Sequence, residues 1–293
     1  MIPNILENDY LKGNCVLFVG AGISARIKRN NGTNVPNWKE LVNLLIDFIY
    51  SRDYISNDEK QELLSMVRDN KLIDVTQIII DEIKESEFQA FLVDIFHDIE
   101  ANDVIYPLIC NMLFRAIITT NIDTLIEDAF QKYACEKIKV WTQNDINENL
   151  ELFGERFLLK LHGTYERQNT VVLGTQGYLD SIYKNKIMIK LMESLLLSNT
   201  FLFIGYSMSD PDLNNILNYL NVISNSNNRI HYLAIEKGKI FSLEKKYLRK
   251  HKNIIILEYE NKTGYHEGII DLLNELKKRK SLKKYSEFTI LLC

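Results

Sequence analysis

The chain has 293 residues, of which 46% are hydrophobic and 25% charged, and its formal net charge is −4. This composition is typical of a soluble globular protein, and the weakly acidic balance gives no overall attraction to nucleic acid or to an anionic membrane. No apolar run is long enough to span a bilayer, and the N-terminus lacks the layout of a secretory signal, so we expect a cytoplasmic protein. The cysteines are too widely spaced to indicate a zinc site or a disulfide framework: Cys15, Cys110, Cys135 and Cys293.

The first predicted element is a buried strand, residues 15–19, which ends at the turn Gly20-Ala21-Gly22. A long helical stretch follows, and roughly residues 39–110 are predicted to be a helical insertion between the first two strands. Apolar residues at helical spacing define two of its faces, one with Leu41, Leu44, Leu45, Phe48 and Ile49, the other with Phe88, Phe91, Leu92, Ile95, Phe96 and Ile99.

Compact apolar runs, separated by helical patterns, continue to the end of the chain. They are typical of strands that are covered on both faces. The runs are 116–120, 157–161, 200–204, 230–235 and 254–259. This alternation predicts an α/β fold, a Rossmann-like, doubly wound, mostly parallel sheet in a single domain over 1–293. The final EFTILLC, 287–293, is strand-like and suited to dock a neighbouring subunit, whereas the basic stretch at 277–284 is interpreted as a solvated helix end rather than a nucleic-acid contact.

The glycine turn matches a phosphate-binding pattern. Gly20, Gly22 and Ala25 satisfy G-x-G-x-x-G/A directly after a strand, where backbone amides can receive a pyrophosphate. A tight turn without a ligand is the alternative. A dehydrogenase would also need a second strand ending in an acidic residue about 20 residues further on, and a helix begins there instead. Hydride transfer is therefore disfavoured.

Polar residues follow three other strands at their carboxyl ends, where open α/β sheets bind ligands. IITTNIDTL supplies Asn121 and Asp123, LLKLHGTY supplies His162, and FLFIGYSMSDPDL supplies Ser207, Ser209 and Asp210. Each group also has a structural alternative, because Asn and Asp cap helices and a lone histidine is often a turn residue. Together the strand ends bring glycines, an amide, a carboxylate, an imidazole and hydroxyls to one edge of the sheet.

Four motifs carry a resemblance to a known family. GAGIS at 20–24, TTNID at 119–123, LHG at 161–163 and GYSMSDPDL at 205–213 resemble the sirtuin-like NAD-consuming family, and most closely its bacterial anti-phage defence branch. The resemblance implies that Asn121 and His162 act at the nicotinamide ribose and that Asp123 lies at the nicotinamide. It also implies that the cofactor is lined by Gly20, Ala21, Gly22, Ser24, Gly205 and Ser207.

The chain departs from the protein-deacylating branch of that family. It lacks the four-cysteine zinc module, so no zinc is expected, and it carries NVPNWKEL where deacylases have a GIPDFR-like segment. Trp38 in this segment is either a core anchor or a cover for the cofactor. These differences favour plain cleavage of NAD over deacylation.

Cleavage of the nicotinamide–ribose bond suits the residues independently of the resemblance. The reaction expels a neutral leaving group and develops positive charge on the sugar, which calls for orientation, a base and exclusion of water. His162 can accept a proton near neutral pH, and Asn121 can hold a water or a hydroxyl without adding charge.

We therefore predict an NAD hydrolase that releases nicotinamide and ADP-ribose, with cyclisation as a variant, and that acts as the NAD-depleting effector of an anti-phage defence system. The alternatives are an NAD-dependent deacylase or ADP-ribosyltransferase, and a regulatory module that binds NAD or ADP-ribose without cleaving it. A freely active enzyme of this kind would empty its own cell of NAD. The resemblance accordingly implies a homo-oligomer that is restrained until a separate partner protein or another trigger arrives.

Overall fold

The computed structural model describes residues 2–134, 137–146, 155–208, 211–223 and 229–290. These residues form a seven-stranded, all-parallel sheet. The strands are β1 (Cys15–Val19), β2 (Ala116–Thr119), β3 (Lys139–Thr142), β4 (Phe157–Lys160), β5 (Thr200–Ile204), β6 (His231–Glu236) and β7 (Ile254–Tyr259), in the order β3-β4-β2-β1-β5-β6-β7. The predicted α/β, Rossmann-like parallel sheet is confirmed.

Helices cover both faces of the sheet. In chain order they are α1 (Asn4–Leu11), α2 (Ala21–Ser24), α3 (Trp38–Tyr50), α4 (Asn57–Arg68), α5 (Leu72–Glu82), α6 (Glu85–Phe96), α7 (Ile105–Cys110), α8 (Leu125–Tyr133), α9 (Thr175–Lys184), α10 (Lys186–Ser198), α11 (Pro211–Ile223), α12 (Ser242–Lys252) and α13 (Glu267–Ile290). Within the described part of the chain, no helix is both long and apolar enough to cross a membrane.

The alternation of side chains along β1 divides the core into two layers. Leu17 and Val19 belong to a cluster that contains the buried residues of α1, α3 to α8 and α13. Val16 and Phe18 face the opposite way, into a cluster with α10, α11 and α12. A parallel strand that is buried on both faces must be apolar throughout, which explains the run CVLFV.

The helical insertion between β1 and β2 begins with two strong capping signals. At Asn37 and again at Ser56, the side chain accepts a hydrogen bond from the amide three residues on, and a glutamate returns the contact. The buried face of α3 is Leu41, Val42, Leu45, Ile46 and Ile49, whereas Leu44 is 37% exposed. The buried face of α3 is therefore rotated relative to the predicted face. The reason is that α4 and α5 both pack against α3 and bury an adjacent row of its side chains.

The structure differs from the sequence predictions at one strand and at the end of the chain. The sequence does not predict β3, because this edge strand is only half apolar and half buried. Residues 287–290 are helical rather than extended, since α13 begins at Glu267 and continues through a run of good helix formers to Ile290. Residues 291–293 lie outside the described residues.

Candidate active site at the carboxyl edge of the sheet

The glycine turn after β1 packs against the turn that follows β5. The amide of Gly20 donates to the Ile204 carbonyl at 2.9 Å, and the amide of Gly22 donates to the Gly205 carbonyl at 2.9 Å. A Cβ on Gly20 would lie 2.4 Å from the Gly205 oxygen, and one on Gly22 would lie 3.0 Å from it. Gly205 itself has a φ of +59°, and its own Cβ would lie 2.7 Å from the Ile23 amide nitrogen.

These glycines thus allow the backbone of the turn after β1 to approach the backbone of the turn after β5. The amide of Gly22 is already used by Gly205. Ala21 begins α2, which has only four residues. The contact between the two turns alone can therefore explain why glycines stand here. A phosphate-binding role would require glycines at the same positions.

Ser24, Asn121 and Asp123 form one buried hydrogen-bonded group between the ends of β1 and β2. Nδ2 of Asn121 donates to Ser24 Oγ at 2.9 Å and to the Gly20 carbonyl at 3.2 Å. Ser24 Oγ in turn donates to Asp123 Oδ2 at 2.6 Å. The three residues are 3%, 8% and 5% exposed, respectively. Ser24, which the sequence assigned with the glycines, is therefore a direct partner of Asn121 and Asp123.

The orientation of the Asn121 amide is fixed by these contacts. Its backbone amide also donates to Thr119 Oγ1 at 2.9 Å, and Thr119 Oγ1 donates to the Val19 carbonyl at 2.8 Å. Since Nδ2 is held by two acceptors, the buried Oδ1 has a definite direction, and it accepts no hydrogen bond from any residue that the structure describes. An acceptor left in this condition is costly, which indicates that a ligand or a water supplies the donor.

Asp123 also contacts the start of α8, and its charge acts on the buried Tyr106. Asp123 Oδ1 accepts a hydrogen bond from the Leu125 amide at 3.1 Å, so the carboxylate contacts the first residue of α8, while the residue at the N-cap position is Thr124. Burial, and after it the Asp123 charge, raise the pKa of Tyr106 well above its usual range, so that this phenol stays protonated. Tyr106 lies on α7, far from any motif, and no sequence signal marks it.

His162 lies in a tightly folded loop after β4. Gly163 has a φ of +73°, and a Cβ there would lie 2.1 Å from the Thr170 carbonyl oxygen. The loop is closed by two further contacts, from the Thr164 amide to Thr170 Oγ1 at 3.1 Å and from the Val172 amide to the His162 carbonyl at 3.1 Å. The imidazole, 6% exposed, is therefore held on a rigid loop.

Two aromatic residues connect His162 to the helical insertion. The ring of Tyr178, on α9, lies edge-on to the His162 ring at 5.3 Å and 81°. Trp38, the first residue of α3, stacks on Tyr178 at 6.2 Å and 25°. Nε1 of Trp38 is buried and donates to no acceptor in the described chain. Trp38 thus packs beside the site through Tyr178, in addition to contacting the core of the insertion.

An apolar cavity of about 220 Å³ opens beside His162. Leu161 and His162 line it from the β4 side, Met188 and Met192 from α10, and Leu213 from α11. The sequence did not predict this cavity, because its walls come from segments that are distant along the chain.

The turn after β5 presents Gly205, Tyr206 and Ser207. Tyr206 is buried and lies 4.8 Å from the Phe18 ring, whereas Ser207 is exposed. Nδ2 of Asn214, on α11, donates to the Met208 carbonyl at 2.7 Å and holds the end of this turn. Ser209 and Asp210 lie outside the described residues.

A buried lysine that no sequence motif marks lies beneath the Asn121 loop. Lys160, the last residue of β4, is 0% exposed, and its Nζ donates to the Asp123 carbonyl and to Glu127 Oε1, the latter at 2.5 Å. Burial raises the pKa of Glu127, and the Lys160 charge opposes that rise.

In the described ranges, no cluster of three or more His, Cys, Asp or Glu side chains has an arrangement that could hold a metal ion. Cys15 and Cys110 are free and buried, while Cys135 and Cys293 lie outside the described residues. Burial raises the pKa of the Cys110 thiol to about 11, which makes it a poor nucleophile.

Comparisons with known proteins agree with this architecture. Residues 115–257 match the sequence model of a family described as a SIR2-like domain. The chain is 26% identical over 298 residues to "Defense-associated sirtuin 2" of Bacillus subtilis, a match that covers 98% of this chain and 28% of the relative. It is 27% identical over 241 residues to "NAD(+) hydrolase ThsA" of Cytobacillus dafuensis, covering 80% of this chain and 44% of that protein. A protein with the same name from Bacillus cereus is 24% identical over 235 residues, covering 78% and 44%. The chain thus spans less than half the length of these curated relatives.

The parallel sheet, with a buried amide, carboxylate and imidazole at its carboxyl edge, defines a Rossmann-like α/β protein with a polar site where such folds bind their ligands. The family match specifies the class further. Residues 115–257 are similar to a SIR2-like domain, in agreement with the resemblance drawn from the motifs. Three of the four motifs lie inside the matched range, and GAGIS precedes it.

Proposed function

We propose that this chain hydrolyses NAD at the nicotinamide–ribose bond, giving nicotinamide and ADP-ribose. The observation that carries the proposal is the Asn121 amide, whose buried Oδ1 has no donor among the described residues while its Nδ2 is fixed by Ser24 and Gly20. The relatives named NAD(+) hydrolase ThsA support the same substrate.

In the proposed reaction, Asn121 Oδ1 accepts a hydrogen bond from a ribose hydroxyl or from the attacking water. His162 accepts the proton that this water loses as its oxygen bonds to the anomeric carbon. The glycosidic electron pair leaves with nicotinamide, which departs neutral because its ring nitrogen was cationic in NAD. Asp123 lies beside Ser24 and is proposed to orient the nicotinamide, as the resemblance implies, and the turns at 20–24 and 205–207 are proposed to hold the dinucleotide.

The relatives also support a proposal for the biological role. One is named a defense-associated sirtuin, and we propose that this chain likewise depletes NAD during phage infection. We further propose that it acts as a homo-oligomer under the control of a separate partner or trigger, because unrestrained cleavage would consume the NAD of its own cell.

Purified protein incubated with NAD tests the activity through the release of nicotinamide, measured by chromatography. We expect Asn121→Ala and His162→Ala each to reduce turnover by about a hundredfold or more, the former through loss of an orienting hydrogen bond and the latter through loss of a general base. Matched controls are Asn111→Ala and His97→Ala, which alter the same residue types at exposed positions and should keep wild-type turnover. A folded Asn121 or His162 variant with wild-type turnover would overturn that residue's role, and a wild type that releases no nicotinamide would overturn the proposed function.

Deacylation is the second candidate, and one observation favours it. The apolar cavity of about 220 Å³ next to His162 is suited to an aliphatic chain. Adding an acyl-lysine peptide to the same assay separates the two reactions. Nicotinamide release that depends on the peptide and yields a deacylated product indicates a deacylase, whereas release without the peptide indicates the hydrolase.

A further inference from the structure

Lys160 carries a fully buried positive charge two residues before His162 in the chain. A buried ammonium group is unfavourable unless it is paired and hydrogen-bonded. Here its partners are the Glu127 carboxylate on the first turn of α8 and the Asp123 backbone carbonyl. The lysine therefore joins β4 to the loop that carries Asn121 and Asp123.

A second backbone carbonyl of that loop also accepts a hydrogen bond from the segment that follows β4. The Ile122 carbonyl accepts a hydrogen bond from the Tyr165 amide at 2.8 Å, and the next carbonyl, that of Asp123, accepts from Lys160. Where the two loops leave β2 and β4, the Leu161 amide donates to the Thr119 carbonyl at 2.9 Å. Residues 160–165, which include His162, thus make three successive contacts with residues 119–123.

The geometry points to Lys160 as a positioning residue for nicotinamide–ribose cleavage, one that holds the Asn121 loop in register with the His162 loop. This inference rests on the proposed function. Lys160 has 0% exposure and reaches the reacting groups through the Asp123 carbonyl and the backbone rather than through direct contact with NAD. Glu127 keeps the ammonium group electrically compensated, which is favourable beside a transition state that itself becomes positively charged.

A charge-neutral replacement of the pair separates positioning from stability. Lys160→Met alone leaves the Glu127 carboxylate buried without its cation, so we expect a lower Tm. Lys160→Met combined with Glu127→Gln removes both charges, and we expect it to recover most of that Tm. The Asp123 carbonyl still lacks its donor in the double variant. We therefore expect its kcat for nicotinamide release to remain at least about tenfold below that of the wild type, with KM for NAD changed by less than about threefold.

Arg229→Met is the matched control. Arg229 pairs with Asp9 at 3.0 Å, and Asp9 also accepts a hydrogen bond from Thr200, the first residue of β5. This ion pair therefore lies at the amino-terminal ends of the strands, opposite the candidate site. We expect Arg229→Met to lower Tm while keeping kcat. Should the double variant not fold, Lys160→Arg provides the test, because it retains donors and charge and should keep kcat within about tenfold of the wild type.

Recovery of kcat together with Tm in the double variant would overturn the inference, since the pair would then be structural only. An equal loss of kcat in Arg229→Met would overturn it too, by showing that turnover follows general stability, and so would a fall of kcat beyond about tenfold in a folded Lys160→Arg protein. Absence of nicotinamide release by the wild type would instead overturn the proposed function, and this inference with it.

Discussion

The imidazole of His231 is expected to make the stability of this protein depend on pH. His231 lies on β6 and is 2% exposed. Its Nδ1 accepts a hydrogen bond from the Phe201 amide at 3.2 Å, which requires that this nitrogen carry no proton. Burial, and to a smaller extent the nearby Arg229 charge, lower the pKa of His231 from 6.5 to about 3.

In the unfolded chain the same imidazole has its ordinary pKa of about 6.5. Between that value and the folded value the unfolded state binds a proton that the folded state does not, so acid favours unfolding. The contribution of His231 is fully present above about pH 6.5 and is lost as the pH falls towards the folded pKa of about 3. With about 1.4 kcal/mol for each pH unit, acidification from about pH 7 to about pH 5 removes about 2 kcal/mol from the free energy of unfolding.

Urea unfolding of the wild type and of His231→Asn, followed by circular dichroism at both pH values, measures this term. The asparagine Oδ1 keeps an acceptor near the position of Nδ1 but does not titrate. We expect the variant to be less stable near neutral pH, because it leaves a cavity beside Phe201, and to lose about 2 kcal/mol less on acidification. All other titrating groups are common to the two proteins, so equal losses would refute the reasoning.

Three further predictions concern the glycines and metal dependence. Gly205→Ala should lower Tm by several degrees more than Gly13→Ala. Both residues have a positive φ, but only a Cβ at Gly205 would meet a described atom within 4 Å. Equal shifts in Tm would mean that the contact with Ile23 is not strained. Gly22→Ala should fold with a lower Tm and lose most of the stabilisation that NAD gives the wild type, about 2.7 kcal/mol at a hundredfold excess over Kd, whereas an undiminished stabilisation would assign the turn to the Gly205 contact alone. Treatment with EDTA or phenanthroline should leave turnover and Tm unchanged, and a loss of activity that zinc restores would contradict a zinc-free mechanism.

The sheet was largely predictable, since strands buried on both faces are continuous apolar runs. The predicted limits of β1, β5 and β7 agree with the structure. Those of β2 and β4 differ by one residue at one end, and those of β6 differ by one residue at each end. β3 was not predicted, because a strand at the edge of the sheet is less buried than the strands inside it. Its Lys139 and Val140 are only partly buried, so the apolar pattern is too short to recognise.

The candidate site was predictable as a set of residue types at one edge of the sheet, but its internal contacts were not. The sequence indicates that something approaches Gly20 and Gly22 closely, and only the structure identifies it as the backbone of Gly205. Lys160 at the end of FLLK has the appearance of an ordinary charged residue that terminates a strand. Its burial depends on the carboxylate of Glu127, more than thirty residues away along the chain, which no local pattern reveals.

The order of the strands has a consequence for synthesis of the chain. β1 is made first and lies in the middle of the sheet, with Val16 paired to Ala116 on one side and Cys15 paired to Thr200 on the other. At ribosomal rates, roughly 10 to 40 s pass between synthesis of β1 and synthesis of its second neighbour. Throughout that interval the segment CVLFV, apolar on both faces, has an unpaired edge of the kind that recruits other nascent chains. We therefore expect slow translation or high expression to favour aggregation through this segment, and a chaperone that shields it to raise the yield of folded protein.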